Sequence, residues 1–228
     1  MRLILIRHGQ TPANVAGQLD TAAPGLPLTE LGRRQAAAVV PGLADEPVHG
    51  VYASDRTRAQ ETGAPIAADR GLDVGVLPGL GEIAAGEFEM RGDKEAIVGY
   101  LTCVAGWMRG DLSGAIRDGE DGHAFHARFD GAIREIAARH EPDHTVVAVA
   151  HGAAIRAWLG VLLGGVADDH FLFGGIQNTG GAWLEGDPDT GWELVRWSEE
   201  PVGGAHLEDH AAHDVTGESA EEAVRDAD

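Results

Sequence analysis

At 228 residues, with 43% hydrophobic and 24% charged residues, the chain has the size of one substantial domain or a domain with an appendage. A formal charge of -20 argues against nucleic-acid binding, which needs a basic footprint. No apolar run is long enough to span a bilayer, the N-terminus makes a poor secretory signal, and a lone cysteine, Cys103, excludes an intrachain disulfide, so a cytoplasmic protein without a membrane partner is expected.

The first feature in the chain is Leu3-Ile4-Leu5-Ile6, four aliphatic residues followed within a few positions by Gly9 and Pro12. That pattern predicts a short strand buried on both faces. It hands over directly to Arg7-His8-Gly9, at the kind of strand end where open α/β sheets form ligand crevices. A Pro- and Gly-rich loop is expected from Pro12 to Pro27. Thr29 then reads as the N-cap of a helix through Glu30-Leu31-Gly32-Arg33-Arg34-Gln35-Ala36.

A strand follows near 50–54 and a helix from Asp55 towards Asp69, then a short strand at Val74-Gly75-Val76-Leu77. Helices are predicted over about 93–109 and 121–140. In the second of these Phe125, Phe129, Ile133 and Ile136 make one apolar face. Thr145-Val146-Val147-Ala148-Val149-Ala150 is the second strong strand. It ends in His151-Gly152 and leads into an apolar helix over 153–163. Strands at 181–184 and 192–197 are joined by a turn-rich connection. Alternation of strands and helices predicts an α/β sandwich.

From about Glu199 the composition turns acidic and alanine-rich. The expected organisation is one domain over 1–198, with a cap insertion at about 83–122, and a flexible acidic tail over 199–228. In that tail His206, His210 and His213 have a spacing compatible with one helical face and a metal, or with a chance cluster.

The basic residues are sparse: Lys94 is the one lysine, and the rest are arginines. An acidic protein that binds a phosphate must gather its arginines at one place. Arg7, His8, Arg58, Glu82 and His151 all fall at successive expected strand ends. Singly, each has an ordinary structural reading: a solvated helix arginine, a core histidine, a loop carboxylate. Together they describe a compact cationic pocket with Glu82 at its rim, provided the strands ending in His8 and His151 are parallel neighbours.

The ordered set Arg7-His8-Gly9 with Thr11 and Asn14, Leu28-Thr29-Glu30-Leu31-Gly32 with Gln35, Ser54 to Ala59 with Thr62, Leu80-Gly81-Glu82 and Ala150-His151-Gly152 resembles the histidine phosphatase superfamily over roughly residues 1–197. The resemblance implies a three-layer α/β/α fold with a mostly parallel central sheet and phosphoglycerate mutase-like topology. It implies a phosphohistidine mechanism without a metal or other cofactor. His8 would be the nucleophile and Glu82 the proton donor. Arg7, Arg58 and His151 would hold the phosphoryl oxygens, with Asn14 and the Gly152 amide as further contacts. The expected partner is a small phosphorylated substrate, and homo-oligomerisation is left open.

Hydrolysis is favoured over phosphoglycerate mutase-type isomerisation on three departures from that branch. Asp20-Thr21-Ala22 stands where a substrate carboxylate would be held, the segment after Glu82 carries only one lysine, and the C-terminal stretch is acidic. The loop Gly119-Glu120-Asp121 lacks the serine that often meets substrate. Arg91, Lys94 and Arg109 are candidate substrate-facing cations or simply exposed charges. A non-catalytic phospho-ligand sensor is the remote alternative, disfavoured because nucleophile and acid are both present.

Overall fold

A computed structural model describes residues 1–165, 173–209, 212 and 214–217. Six strands form one sheet: β1 (Arg2–Arg7), β2 (Val48–Ala53), β3 (Val74–Val76), β4 (Thr145–Ala150), β5 (Gly181–Asp187) and β6 (Gly191–Ser198). Their order across the sheet is β3-β2-β4-β1-β5-β6, with the first four parallel and β5 and β6 antiparallel.

Side chains alternate across a strand, and both faces of this sheet are covered. Ile4, Ile6, Val147 and Val149 point to one face, where Val39 of helix α2 (Glu30–Gly42), its C-cap Leu43, and Ala59 and Ile66 of α3 (Thr57–Arg70) meet them. Leu3, Leu5, Val146 and Ala148 point to the other. There they meet α4 (Lys94–Met108), α5 (Gly122–Ala137) and α6 (Gly152–Leu162). The fold is therefore the expected three-layer α/β/α sandwich. Trp107, stacked on Phe125 at 5.5 Å, belongs to the core of the second layer, as does Met108.

Helix starts follow their sequence signals. Thr29, Asp93 and Asp121 each accept a backbone N–H from the first turn of α2, α4 and α5. The expected loop over 12–27 contains a short helix instead, α1 (Pro12–Ala16), capped by Thr11 and Asn14 reciprocally. At five residues it has no periodic apolar stripe to announce it.

A second correction concerns the acidic C-terminal stretch. Where it is described it is seated on the domain. Val202 packs against Gly42 at the end of α2, Leu207 is buried with its carbonyl accepting from Gln35, and Asp214, Val215 and Thr216 are buried. Isolated apolar residues about five to eight apart each fill one gap, so no helical or strand period betrays them. His210 and His213, and hence the suggested metal cluster with His206, lie outside the described residues.

Three partly or wholly buried histidines carry a pH dependence. Burial first, and neighbouring cationic groups second, push the pKa of His8, His140 and His151 below 6.5. Between that value and their lower folded values the unfolded chain binds protons that the folded chain does not. Stability is thus fully present above about pH 6.5 and lost as pH falls below it. Thermal melts between pH 8 and pH 5 should show the midpoint falling on the acid side. A midpoint that is flat or rises on acidification would contradict this.

Candidate active site

β1 and β4 pair in parallel with Arg7 opposite Ala150, so the following residues leave the sheet side by side. The His8 and His151 ring centroids lie 5.1 Å apart with planes tilted by 59°. Both residues are almost wholly buried. For His8 the pKa is depressed by burial, then Arg58, then Arg7. For His151 the order is burial, Arg58, then His8. Both imidazoles are therefore neutral near pH 7.

The tautomers follow from their hydrogen bonds. His8 Nδ1 sits 2.7 Å from the carbonyl of Gly9. A carbonyl only accepts, so Nδ1 carries the proton and Nε2 keeps the lone pair. His151 Nε2 lies 2.7 Å from Ser54 Oγ, which also accepts from the Arg56 amide at 3.3 Å. A Ser54 proton given to Nε2 makes Nδ1 of His151 the N–H donor. That Nδ1 is buried with no hydrogen-bond partner, and so is Nε of Arg7. Two buried nitrogens without partners at adjacent strand ends, one of them a guanidinium N–H, mark a place for a ligand.

Gly9 has a packing role. A Cβ there would come 2.6 Å from the carbonyl of Gly32, and one on Gly32 would come 2.2 Å from that of Gln10. Backbone-to-backbone approach at this point locks the start of α2 onto the loop that carries His8. Thr62 secures it further, accepting from the Gly9 amide at 3.0 Å and donating to the Arg58 carbonyl at 2.7 Å.

Arg58, in the first turn of α3, is buried and donates to the Asp20 carbonyl at 2.8 Å and to its carboxylate at 3.3 Å. Asp20, which stands where a substrate carboxylate would be held, is thus the counter-ion of a site arginine. Its loop is held by the Glu89 carboxylate, which accepts from the amides of Thr21 and Ala22.

Arg7 donates to the Ile176 carbonyl at 2.8 Å, the Asp214 carboxylate at 2.6 Å and Thr216 Oγ1 at 3.2 Å. Asn14 gives its amide N–H to the same Asp214 oxygen at 2.9 Å. Gly152 opens α6, and a Cβ on it would come 2.2 Å from the Thr216 carbonyl.

Glu82 is buried rather than at the rim. Its carboxylate accepts from the amides of Ile83 and Ala154 at 2.9 Å and of Ala153 at 3.3 Å, so it is docked on the N-terminus of α6. Its loop is clamped by Arg128 of α5, which donates to the carbonyls of Gly79, Gly81 and Glu82 and pairs with Glu120. Glu120, paired with Arg128, and Asp121, the N-cap of α5, are therefore framework residues. Arg91 is taken up by Asp93 and Glu95 on the surface, and Arg109 stacks over Phe173.

His8, Asn14, Asp20, Arg58, Glu82 and Thr216 line one small cavity of about 10 Å³. The expected site residues are thus brought together. Sequence reasoning missed Ser54 as the partner of His151, Arg128 as the clamp under Glu82, and Asp214. Among the described residues, no three His, Cys, Asp or Glu side chains are grouped to hold a metal.

Paired neutral imidazoles among buried guanidinium groups, at the carboxyl ends of parallel strands, define a phosphoryl-handling α/β enzyme. The chain belongs to the histidine phosphatase superfamily (branch 1), whose family pattern it matches over residues 3–200. It is 37% identical over 217 residues to the PE-PGRS family protein PE_PGRS11 of Mycobacterium tuberculosis, a match covering 89% of this chain but only 37% of that protein. It is 32% identical over 209 residues to a glucosyl-3-phosphoglycerate phosphatase of Mycobacterium tuberculosis, covering 86% and 91% of the two. The solved mycobacterial glucosyl-3-phosphoglycerate phosphatase in complex with VO3 matches with a TM-score of 0.73 and 30% identity, over 86% of this chain and 98% of that one. Among the described residues no helix is long and apolar enough to cross a membrane.

Ser54 offers a test of the tautomer assignment. Ser54→Ala should lower kcat about tenfold, less than the 10²–10⁴-fold of a group that itself transfers the proton, and should shift the acid limb of the pH–rate profile. Restoration by Ser54→Thr is expected. An unchanged pH profile with unchanged kcat would remove Ser54 from the machinery.

Proposed function

We propose that the protein is a phosphomonoester hydrolase that acts on a small phosphorylated metabolite through a phosphohistidine at His8. The observation that carries this is the neutral, Nδ1-anchored His8 ring 5.1 Å from His151 and flanked by two buried arginines.

In the proposed reaction the Nε2 lone pair of His8 attacks phosphorus in line with the ester oxygen. An N–P bond forms as the P–O bond to the alcohol breaks. Arg7, Arg58 and the Nδ1–H of His151 receive the equatorial oxygens, and Asn14 and the Gly152 amide lie beside them. These donors are fixed before the charge develops, which is what makes such groups effective. Glu82 protonates the departing alkoxide. Its carboxylate then takes a proton from water as that water attacks the phosphohistidine, releasing phosphate and restoring His8. No metal or other cofactor enters the proposed cycle.

Hydrolysis is favoured over isomerisation because the cavity wall carries Asp20. A carboxylate there opposes the acid group of a phosphoglycerate unless Arg58 is released to meet it. The name of the glucosyl-3-phosphoglycerate phosphatase relative supports the same reading. A cytoplasmic setting belongs to the proposal, in keeping with a single, half-buried Cys103.

Three variants test it on an aryl phosphate. His8→Ala should abolish both turnover and the acid-labile phosphoenzyme, whereas a surviving phosphoenzyme would place the nucleophile elsewhere. Glu82→Gln should slow turnover by about 10²–10⁴-fold for poor leaving groups and far less for good ones. Equal slowing across leaving groups would count against Glu82 as the acid. Because the His8 pKa is depressed, the acid limb of the rate profile should fall below the ordinary histidine value of 6.5. A limb above that value would mean that His8 is not the group titrating.

A further inference from the structure

The C-terminal segment 214–217 is built into the site. Arg7 and Asp214, with side chains 0% and 7% exposed, form an ion pair at 2.6 Å. The same carboxylate oxygen receives the Asn14 amide, so one oxygen collects two of the donors assigned to a phosphoryl oxygen. Thr216 Oγ1 accepts from Arg7 at 3.2 Å, and its carbonyl accepts from Arg156 at 2.9 Å. The Gly217 carbonyl accepts from the Ile176 amide at 2.7 Å, and a Cβ on Gly217 would come 1.8 Å from an Arg7 nitrogen.

With the segment in place the space between His8, Asn14, Arg58, Glu82 and Thr216 is about 10 Å³. Thr216 of the segment is part of the wall of this narrow space, beside His8 and Arg58.

We propose that residues 214–217 form an autoinhibitory plug, with the Asp214 carboxylate standing in for substrate phosphate on Arg7 and Asn14. This rests on the reading of the site as a phosphate site. Substrate then binds only the fraction of molecules whose segment has swung out, so apparent affinity for any phosphate ligand is reduced by that fraction. The ion pair suits such a role. It is strong enough to hold the segment, and a phosphate dianion offers Arg7 more charge and more acceptor oxygens than one carboxylate does. Displacement exposes Val215, which is buried in the plugged state, and that exposure opposes opening.

The test uses the full-length chain, an aryl phosphate and inorganic phosphate as competing product. Asp214→Asn should lower KM and the inhibition constant of phosphate together by about tenfold or more, with kcat unchanged or higher. That is the effect of losing one charge-assisted competitor. A fall in kcat with KM unchanged or raised would overturn the plug and make Asp214 a positioning residue for Arg7. Should Asp214→Asn fold poorly, hydrogen exchange on the wild-type protein decides. Saturating phosphate should accelerate exchange of the amides at 215–217, and slower or unchanged exchange there would overturn the proposal. Failure of the underlying reading has a different signature, namely wild-type protein that neither binds phosphate nor hydrolyses the ester.

Discussion

The register of two parallel strands governs this molecule. β1 and β4 are separated by well over a hundred residues of chain, yet Arg7 pairs with Ala150, and the next residue on each strand is a histidine. A slip of one position would turn every side chain of β1 to the opposite face. It would exchange Leu3 and Leu5 for Ile4 and Ile6 between the two cores and carry His8 away from His151. The register is thus protected by the packing of two separate hydrophobic layers. The catalytic geometry inherits that protection without needing stabilising contacts of its own.

Electrostatics has to be solved locally. At a formal charge of -20 the protein as a whole repels a phosphate monoester, but in physiological salt that repulsion fades over roughly 8 Å. What remains is the short-range field of a few buried guanidinium groups. Arg7 and Arg58 are both buried and both held by carboxylates, Asp214 and Asp20. Leaving such charges buried and unpaired would be severely destabilising. The resting site therefore supplies internal anions that a phosphate must replace.

The parts legible in the sequence are those fixed by local chemistry. An aliphatic run ending in a polar tripeptide announced His8 and, later, His151. Thr29 and Asp93 announced helix starts, and Gly32 was marked by its motif. What stayed hidden depends on partners distant in the chain. Ser54 matters because of His151, and Arg128 because it binds the carbonyls on either side of Glu82. Helix α1 is too short for a period. Glu82 was expected at a rim because a lone loop carboxylate usually faces water. Its burial requires the amides of α6, which only the fold brings to it.

The C-terminal stretch shows why composition misleads there. Acidic, alanine-rich sequence reads as solvated chain because it lacks apolar surface to bury. But a segment can be held by charge when the domain offers a buried cation needing a counter-ion, and Arg7 is such a cation. Val215 and Leu207 supply only modest apolar anchorage, so the hold depends on the ionic contact and weakens when a better anion arrives. A strongly apolar segment could not be dislodged by phosphate, and a wholly polar one could not find its seat. The mixture of sparse anchors and one placed carboxylate is what allows a segment to be ordered at rest and yet yield to a ligand.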